Sequence, residues 1–437
     1  MTDPLPWPAP SASGPVDAVV TVPGSKSLTN RWLVLAALAE GTSTLRRPLR
    51  SRDSERMVDA LRALGVEVDD RDDQAWFVTP PVALHGDVDV DCGQAGTVMR
   101  FVPPVAALAA GPVRFDGHPT ARLRPVGPVL EALRGLGADV EDGGRGTLPY
   151  TVDGRGGLRG GTVEIDASAS SQFVSALLLA GARFEQGLLL RHTGASLPSL
   201  PHVEMTLQVL EQVGVRVHRP DQHSWRVEPG PVAAFDVVVE PDLSSAAPFL
   251  ALAAVTGGTV TVRDWPTTTT QPGDGLRRIL QGMGATTSLS PEGLLVQGAG
   301  DGRLTGVDLD LSAVGELTPV VAALATLADG PSRLRGIAHL RGHETDRLAA
   351  LVTEIGRLGG RARETDDGLV VEPTGLSGAL LRTYHDHRMA MFAAVVGAVV
   401  PGVEIEDVTT ADKTFPDFHL AWAGAVATGR DAGDDRP

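Results

Sequence analysis

The stretch Pro23-Gly24-Ser25-Lys26-Ser27-Leu28-Thr29-Asn30-Arg31 joins a strand pattern to a helix pattern. Apolar and β-branched residues precede it at 18–22, and an apolar run follows it at 32–39. The glycine permits a tight bend, and either flanking serine can cap a helix. A helix N-terminus carries free N–H groups and a partial positive charge. Together with Lys26 and Arg31, this turn predicts a site for a phosphate or a carboxylate.

The nearest generic motif is the phosphate-binding loop of nucleotide-binding proteins, which requires glycine directly before the lysine. Here Ser25 occupies that position, so the motif is not met. Taken alone, the stretch is equally compatible with a capped surface helix whose Lys26 and Arg31 are solvated.

Composition restricts the function classes. The 437 residues are 42% hydrophobic and 21% charged, with a net charge of −16, which argues against general binding to nucleic acid or an anionic membrane. Cys92 is the single cysteine, so no intrachain disulfide and no cysteine-based metal site is expected. No apolar run reaches the length of a membrane span and no signal peptide is recognisable, which favours a cytoplasmic protein with a flexible leader, 1–14, and tail, 429–437.

The chain repeats itself at a period of about 73 residues. One series consists of helix patterns that end in glycine, at positions 65, 137, 214, 284 and 359. A second series consists of short polar turns that open apolar helices, at Ser27, Gly96, Ser170, Ser244, Glu316 and Asp386. Short strand patterns lie between the two helices of each period. The sequence therefore predicts six βαβαββ units.

The opening helices of the six units consist almost entirely of Ala, Val, Leu, Met and Phe. A helix that is apolar all round is buried, so we expect these helices at the centre of globular domains with strands around them. The second helix of each unit carries charge and should lie outside. Six units divide into three plus three, with a crossover near 241–244.

The N-termini of the opening helices carry small, hydrogen-bonding or charged residues. Packed pseudosymmetrically, they would converge on one cleft that attracts a substrate with more than one anionic group. Further polar clusters lie between helices, at 122–125, 343–347 and 413–417.

Seven motifs, in this order, resemble the 5-enolpyruvylshikimate-3-phosphate synthase family over about residues 15–425: Pro23-Gly-Ser-Lys-Ser-x-x-Asn-Arg31, Ala95-Gly-Thr-x-Met-Arg100, Arg124-Pro125, Ser170-Ser-Gln172, Glu344-Thr-Asp-Arg347, Asp386-His-Arg-Met-Ala390 and Lys413-Thr-Phe-Pro416. The resemblance implies an α/β fold of two domains, the inverse α/β barrel of enolpyruvyl transferases. By that analogy, the first domain covers 25–242, and the second combines 15–24 with 243–428.

The resemblance also implies a reaction. The enolpyruvyl group of phosphoenolpyruvate is transferred to the 5-hydroxyl of shikimate 3-phosphate, by addition and elimination through a tetrahedral intermediate, with release of phosphate. No metal or organic cofactor is implied, and a monomer is expected.

The resemblance assigns roles to three groups of residues. The implied catalytic residues are Glu316, Glu344, Lys413 and Lys26, with Glu344 and Lys413 as alternative carriers of the methyl proton. Those implied to bind shikimate 3-phosphate are Lys26, Ser27, Arg31, Ser170, Ser171, Gln172, Ser199, Glu316, His339 and His343. Those implied to bind phosphoenolpyruvate are Lys26, Gly96, Arg124, Gln172, Arg347, Arg388 and Lys413.

The sequence departs from the commonest family pattern at five positions. Gln94 replaces an asparagine, Glu316 an aspartate and His202 a tyrosine, while His339 and His343 stand where asparagine and lysine are usual. Each replacement keeps hydrogen-bonding capacity, so we interpret them as variation within the family. Gly96 is retained, which predicts competition between glyphosate and phosphoenolpyruvate.

Two alternatives fit part of the pattern. UDP-N-acetylglucosamine enolpyruvyl transferases share the fold but typically have Lys-Asn in the first turn and a cysteine or aspartate on a loop near 110–120. Here the pair is Lys26-Ser27, and Phe115-Asp-Gly-His-Pro-Thr120 has no cysteine, although Asp116 lies in it. A non-catalytic binding protein of the same fold would not need Glu344, Arg388 and Lys413 together.

Overall fold

The turn before the first helix requires glycine at position 24, because the chain passes too close to a neighbouring backbone for a side chain to fit. In the computed structural model, which describes residues 5–429, a Cβ placed on Gly24 would collide with the Arg47 carbonyl oxygen. The Ser25 hydroxyl then accepts a hydrogen bond from the Leu28 N–H, which caps the helix that begins at Lys26. The predicted strand-to-helix turn is confirmed.

The described residues divide into two units. Gly24–Val239 form the first unit, and the described residues before Gly24 and after Val239 form the second. The first unit begins and ends within a few residues of the predicted 25–242. The second unit contains the predicted 15–24, except Gly24, and the predicted 243–428, and also residues 5–14, which were predicted as a leader.

Each unit contains two kinds of helix. The helices of the first unit are α1 Lys26–Ala37, α2 Arg52–Ala63, α3 Val98–Ala106, α4 Gly127–Leu136, α5 Gln172–Gly181 and α6 Leu200–Gln212. Those of the second are α7 Leu243–Thr256, α8 Leu276–Gly282, α9 Thr318–Thr326, α10 Arg347–Arg357, α11 His387–Gly397 and α12 Phe418–Val426. The odd-numbered helices are buried on almost all sides, whereas the even-numbered ones bury one face. The prediction of buried central helices is confirmed.

The strands between these helices are short. They are β1 Trp7–Pro8, β2 Asp17–Val20, β3 Ser43–Arg46, β4 Glu67–Asp72, β5 Ala75–Thr79, β6 Val88–Asp91, β7 Ala110–Asp116, β8 Asp139–Glu141, β9 Tyr150–Arg155, β10 Gly161–Ile165, β11 Leu188–His192, β12 Val217–Asp221, β13 Ser224–Val227, β14 Asp236–Val238, β15 Thr259–Arg263, β16 Thr286–Ser290, β17 Gly293–Gln297, β18 Asp308–Asp310, β19 Ser332–Arg335, β20 Arg361–Glu364, β21 Leu369–Glu372, β22 Leu380–Leu381 and β23 Glu404–Ile405. Their order along the chain gives βαβαββ in the first five repeats, as predicted.

The strands form one sheet per repeat. The first unit holds the four-stranded sheets β14-β3-β5-β4, β6-β7-β9-β8 and β10-β11-β13-β12. The second unit holds β16-β17-β15-β2, β18-β19-β21-β20 and the three-stranded β1-β23-β22. In each four-stranded sheet, one parallel pair lies beside two antiparallel pairs, as where β6 runs parallel to β7 and β9 antiparallel to it.

Two of these sheets exchange their opening strands. The first repeat begins with β2, yet β2 pairs with β15 of the fourth repeat, at Thr259↔Asp17 to Val262↔Val20. The fourth repeat begins with β14, which pairs with β3 of the first repeat. The chain therefore changes unit after β2 and again after β14.

The expected flexible leader, 1–14, is wrong for the part of it that the structure describes. Trp7 and Pro8 pair with Ile405 and Glu404, and the Ser11 hydroxyl donates to the Gly397 carbonyl. The sixth sheet lacks the strands that end the other repeats, so this segment supplies its third strand. Residues 1–4 and 430–437 lie outside the described residues. Among residues 5–429, no helix is long and apolar enough to cross a membrane.

A pair of glycine substitutions tests the close approach at Gly24. We expect Gly24→Ala to lower the free energy of unfolding by about 1–3 kcal/mol, because the added methyl group forces the Arg47 backbone to move. Gly356→Ala is the matched control: Gly356 lies in α10 with open space where a Cβ would be, so alanine should stabilise the helix by about 0.5–1 kcal/mol. Urea denaturation of both variants measures the difference, and equal effects would contradict the packing argument.

Candidate active site

The N-terminus of α1 holds the first predicted cation. Lys26 is the first residue of the helix, and its Nζ lies 3.4 Å from Oδ2 of Asp53, near the start of α2. Both side chains are largely buried, with 18% of the lysine and 6% of the aspartate side chain exposed. Asp53 therefore sets the position of the Lys26 ammonium, a role that no sequence motif had assigned.

Arg31 lies deeper than its predicted substrate-binding role suggests. Its Nε donates to the Thr206 hydroxyl at 2.8 Å, and its Nη atoms donate to the carbonyls of Ser27 and His202 at 2.9 Å each. Burial lowers the pKa of this guanidinium to about 9, which still leaves it charged at neutral pH. Its contacts within the described chain are with protein groups, and one of them fixes the backbone of Ser27.

Gly96 and Arg124 meet next to α3. A Cβ on Gly96 would lie 2.6 Å from Nη2 of Arg124, so any side chain at position 96 would displace this guanidinium. Arg124 Nη1 donates to the Gln94 carbonyl at 3.2 Å, while its buried Nε has no hydrogen-bond partner within the described residues. The Gln94 side chain lies 3.3 Å from the Thr120 hydroxyl, on the loop that leads to Arg124.

The N-terminus of α5 carries the predicted serine pair and glutamine. Gln172 is the first residue of this helix, and its Oε1 accepts from Arg100 Nη1 at 2.8 Å. The Ser170 hydroxyl accepts from the Gln172 N–H, and Ser171 is buried behind it. Ser199 adopts a left-handed backbone conformation, φ 53°, at the start of α6.

In the second unit, the other charged side chains of the predicted site lie around Arg347. This side chain is only 1% exposed, and its Nε donates to Asp386 Oδ2 at 2.8 Å. Its Nη2 donates to Glu344 Oε2 at 2.9 Å, and its Nη1 lies 3.6 Å from Glu316 Oε2. Burial alone would lower the pKa of Arg347, but the carboxylates of Asp386, Glu344 and Glu316 outweigh it and raise the pKa well above its usual range.

Two further cations extend this cluster. Lys413 Nζ donates to Glu344 Oε1 at 2.8 Å, and Arg388 Nε lies 2.6 Å from Glu316 Oε2. The order of contacts is Lys413, Glu344, Arg347, Glu316, Arg388, so positive and negative groups alternate. With Asp386 beneath Arg347, three cations face three anions. The predicted cations are therefore balanced by carboxylates in this unit, and an anionic ligand has to compete for them.

The two histidines that replace asparagine and lysine lie beside this cluster. His343 Nδ1 is 3.3 Å from Arg347 Nη1, which can only donate, so this ring nitrogen carries no proton. Burial, and then the charge of Arg347, lower the pKa of His343 to about 3. Burial also lowers the pKa of His339, whose Nε2 faces the backbone of Gly315. Both are neutral at pH 7, so His343 does not replace the charge of the usual lysine.

The sequence predicts most of the charged residues described above. It does not identify the residues that pair with them. Arg100 was part of a motif without a role, and Asp53 and Asp386 were not proposed as partners of Lys26 and Arg347. One signal was available in the composition: no lysine other than Lys26 and Lys413 occurs in the 437 residues. All other basic side chains apart from histidine are arginines.

The chain is similar to known proteins over nearly its whole length. Residues 10–422 match the family model described as EPSP synthase (3-phosphoshikimate 1-carboxyvinyltransferase). A protein of Kocuria rhizophila named 3-phosphoshikimate 1-carboxyvinyltransferase is 58% identical over 432 residues, which is 97% of this chain and 97% of that protein. Two solved structures of EPSP synthase from Acinetobacter baumannii superpose with TM-scores of 0.78 and 0.77 at 24% and 23% identity, covering 96% of this chain and 97% and 98% of theirs.

The fold and the family match define a transferase with the enolpyruvyl transferase fold. The chain belongs to the EPSP synthase family and is an enzyme of the shikimate pathway that catalyses carboxyvinyl transfer to shikimate 3-phosphate. The alternatives of a UDP-N-acetylglucosamine enolpyruvyl transferase and of a non-catalytic binding protein are thereby set aside.

The ion pair between Arg347 and Asp386 gives a stability prediction. Asp386→Asn removes the buried charge opposite Arg347, so we expect a loss of about 3–5 kcal/mol in the free energy of unfolding. Asp346→Asn is the matched control, because Asp346 also caps a helix but has no such buried cation among its hydrogen-bond partners, and asparagine caps equally well. Its expected loss is below about 1 kcal/mol, and a comparable loss in both variants would contradict the special contribution of the buried pair between Asp386 and Arg347.

Proposed function

We propose that the alternating charges around Arg347 are the catalytic centre of enolpyruvyl transfer, and that the first unit binds shikimate 3-phosphate. The observation that carries this proposal is the contact of Glu344 with both Arg347 and Lys413, at 2.9 and 2.8 Å. A carboxyl group that gives and takes a proton works best when its pKa is raised towards the operating pH. An anion that draws Arg347 and Lys413 away from Glu344 would raise the proton affinity of this carboxylate.

Phosphoenolpyruvate supplies that anion. Its carboxylate is the natural partner of the Arg347 and Arg388 guanidiniums, since planar cations bind carboxylates bidentately. Its phosphate suits Lys413. Lys26, Gly96, Arg124 and Gln172 of the first unit remain proposed ligands of phosphoenolpyruvate. As the ligand takes these cations from Glu344 and Glu316, both carboxylates lose opposite charge and their proton affinity rises.

The chemistry then runs in two steps. Glu344, with Lys413 beside it, gives a proton to the methylene carbon of phosphoenolpyruvate, while the 5-hydroxyl oxygen of shikimate 3-phosphate bonds to the neighbouring carbon. Glu316 accepts the hydroxyl proton, and a tetrahedral intermediate results. Glu344 or Lys413 then removes a proton from the new methyl group, the carbon–oxygen bond to phosphate breaks, and phosphate leaves with the proton held by Glu316.

The binding of shikimate 3-phosphate is proposed mainly for residues of the first unit. Ser170, Ser171 and Ser199 are proposed to hold its phosphate, and Lys26 and Ser27 to bind near the reacting hydroxyl. Gln172, fixed by Arg100, would contact the ring. Since Arg31 is committed to protein groups, we infer that it acts by holding the backbone of Ser27. His339 and His343, being neutral, would contribute hydrogen bonds without charge.

We further infer that the enzyme works in the cytoplasm as a monomer and without a metal or organic cofactor. The proposed steps need only protons and fixed cations, and each unit has a hydrophobic core of its own.

Replacement of the proposed proton carrier tests the mechanism. We expect Glu344→Gln to reduce kcat by about 10²–10⁴, because the amide keeps the shape but cannot carry the proton. Phosphate release with both substrates present measures this. Glu131→Gln, an exposed glutamate on α4, is the control and should retain wild-type turnover. Wild-type turnover in Glu344→Gln would contradict the assigned role.

Glyphosate tests the proposed phosphoenolpyruvate site. Gly96 leaves room for Arg124, so a small dianionic inhibitor should occupy the same cations as phosphoenolpyruvate. We expect its apparent inhibition constant to rise linearly with the concentration of phosphoenolpyruvate. An inhibition constant that does not depend on phosphoenolpyruvate would place the inhibitor elsewhere.

A further inference from the structure

The turn before α11 has an unusual backbone. Tyr384 and His385 both adopt left-handed conformations, with φ 54° and φ 57°. Residues with a side chain disfavour this region, and two in succession need support from the surrounding structure. Asp386 and Arg388, which meet Arg347 and Glu316, follow this turn directly. The conformation of the turn therefore determines where these two charges lie.

A buried carboxylate on α10 supports the turn. Glu354 is fully buried, and its Oε1 accepts from the Tyr384 hydroxyl at 2.6 Å. Its Oε2 accepts from the Arg382 N–H at 3.0 Å, at the start of the same turn. Arg357, whose side chain is 39% exposed, is its partner cation at 3.1 Å. A buried carboxylate has to be hydrogen-bonded, and Glu354 meets that need largely through the turn.

The same helix holds the turn at a second point. Arg347 and Glu354 are seven residues apart on α10, which places them on one face, about 10 Å apart along the helix axis. Arg347 binds Asp386 at the end of the turn, and Glu354 binds Arg382 and Tyr384 at its beginning. The two strained residues lie between the attachments at Arg382 and Asp386.

We propose that Glu354 and Tyr384 are positioning residues of this enzyme: they hold the left-handed turn that sets Arg388 and Asp386 against Arg347. Neither is assigned a contact with substrate or a proton to transfer. The effect on catalysis rests on the proposed role of Arg347 and Arg388 in binding phosphoenolpyruvate. Burial, and then Glu354, raise the pKa of Tyr384 to about 12, so its hydroxyl keeps the proton that it donates.

The Tyr384→Phe substitution removes the hydroxyl group that donates to Glu354 and keeps the aromatic ring. We expect kcat/KM for phosphoenolpyruvate to fall about 10- to 100-fold, because a small displacement of a binding group is enough to cause such a loss. KM for shikimate 3-phosphate should stay within about twofold, since the residues proposed to bind it belong mainly to the first unit. Steady-state phosphate release, with each substrate varied in turn, measures both constants.

Arg357→Gln is the matched control because it removes a different partner of the same carboxylate. It leaves both bonds from Glu354 to the turn in place. We expect a lower urea midpoint, since the buried carboxylate loses its cation, with both KM values within about twofold of wild type. Selective loss in Tyr384→Phe and not in Arg357→Gln would separate positioning from general stability.

A rescue variant tests the strain directly. Glycine adopts the left-handed region without cost, so His385→Gly added to Tyr384→Phe should recover most of the lost kcat/KM for phosphoenolpyruvate. If Tyr384→Phe does not fold, Glu354→Gln replaces it: the amide offers one acceptor oxygen for the two donors of the turn, and the same selective loss is expected.

The outcomes separate this inference from the proposed function. Absence of phosphate release by the wild-type enzyme with both substrates would overturn the proposed function. An active wild type whose Tyr384→Phe variant has unchanged constants, or loses activity equally toward both substrates, would overturn the positioning role.

Discussion

A helix without a polar face has to be buried on every side, and this constraint determines the architecture. Each unit surrounds three such helices with sheets and half-buried helices, and nearly every residue between their ends is inaccessible. Where these helices begin, free N–H groups favour anions, and Glu316, Asp386 and Arg388 lie at or next to such starts.

The second unit shows how concentrated charge is tolerated at such an end. Three cations without counter-charges would repel one another and favour the unfolded chain. Glu344, Glu316 and Asp386 remove that repulsion by alternating with Arg347, Arg388 and Lys413. In the proposed mechanism the same carboxylates also respond to binding, because an anionic substrate that takes over the cations would change the proton affinity of Glu344. Stability before binding and the proposed reactivity after it would then have a common origin.

The repeat and the buried helices could be predicted because they depend on local patterns. Apolar runs of helical length at a regular spacing identify the central helices without knowledge of their neighbours. The exchange of β2 and β14 could not be predicted from the residues alone, because the residue pattern of a strand does not indicate which distant strand it pairs with. The Pro-rich start of the chain looked like a loose leader, yet Trp7 and Pro8 pair with β23 because the sixth sheet is incomplete without them.

The residues that pair with the charged groups of the site could not be predicted from the sequence either. Asp53 is 27 residues from Lys26, and Asp386 is 39 residues from Arg347, so only the folded chain reveals either pair. The neutral state of His343 also depends on the folded environment, because burial and the neighbouring Arg347 both act against its protonation. Residue type therefore predicts which groups take part, whereas their protonation and pairing follow from tertiary packing.

The distribution of lysine separates the two kinds of cation in the site. Lys26 and Lys413 are the only lysines among 38 Lys and Arg residues, so nearly all positive charge is arginine. Arginine keeps its proton under all ordinary conditions and binds carboxylates through a rigid planar fork, which suits Arg347 and Arg388. Lysine presents a compact, mobile ammonium that can release a proton when its surroundings change. Both lysines are proposed to bind phosphoenolpyruvate, and Lys413 is also a proposed carrier of a proton. An arginine at position 413 could therefore replace the charge of Lys413 but not its acid–base capacity.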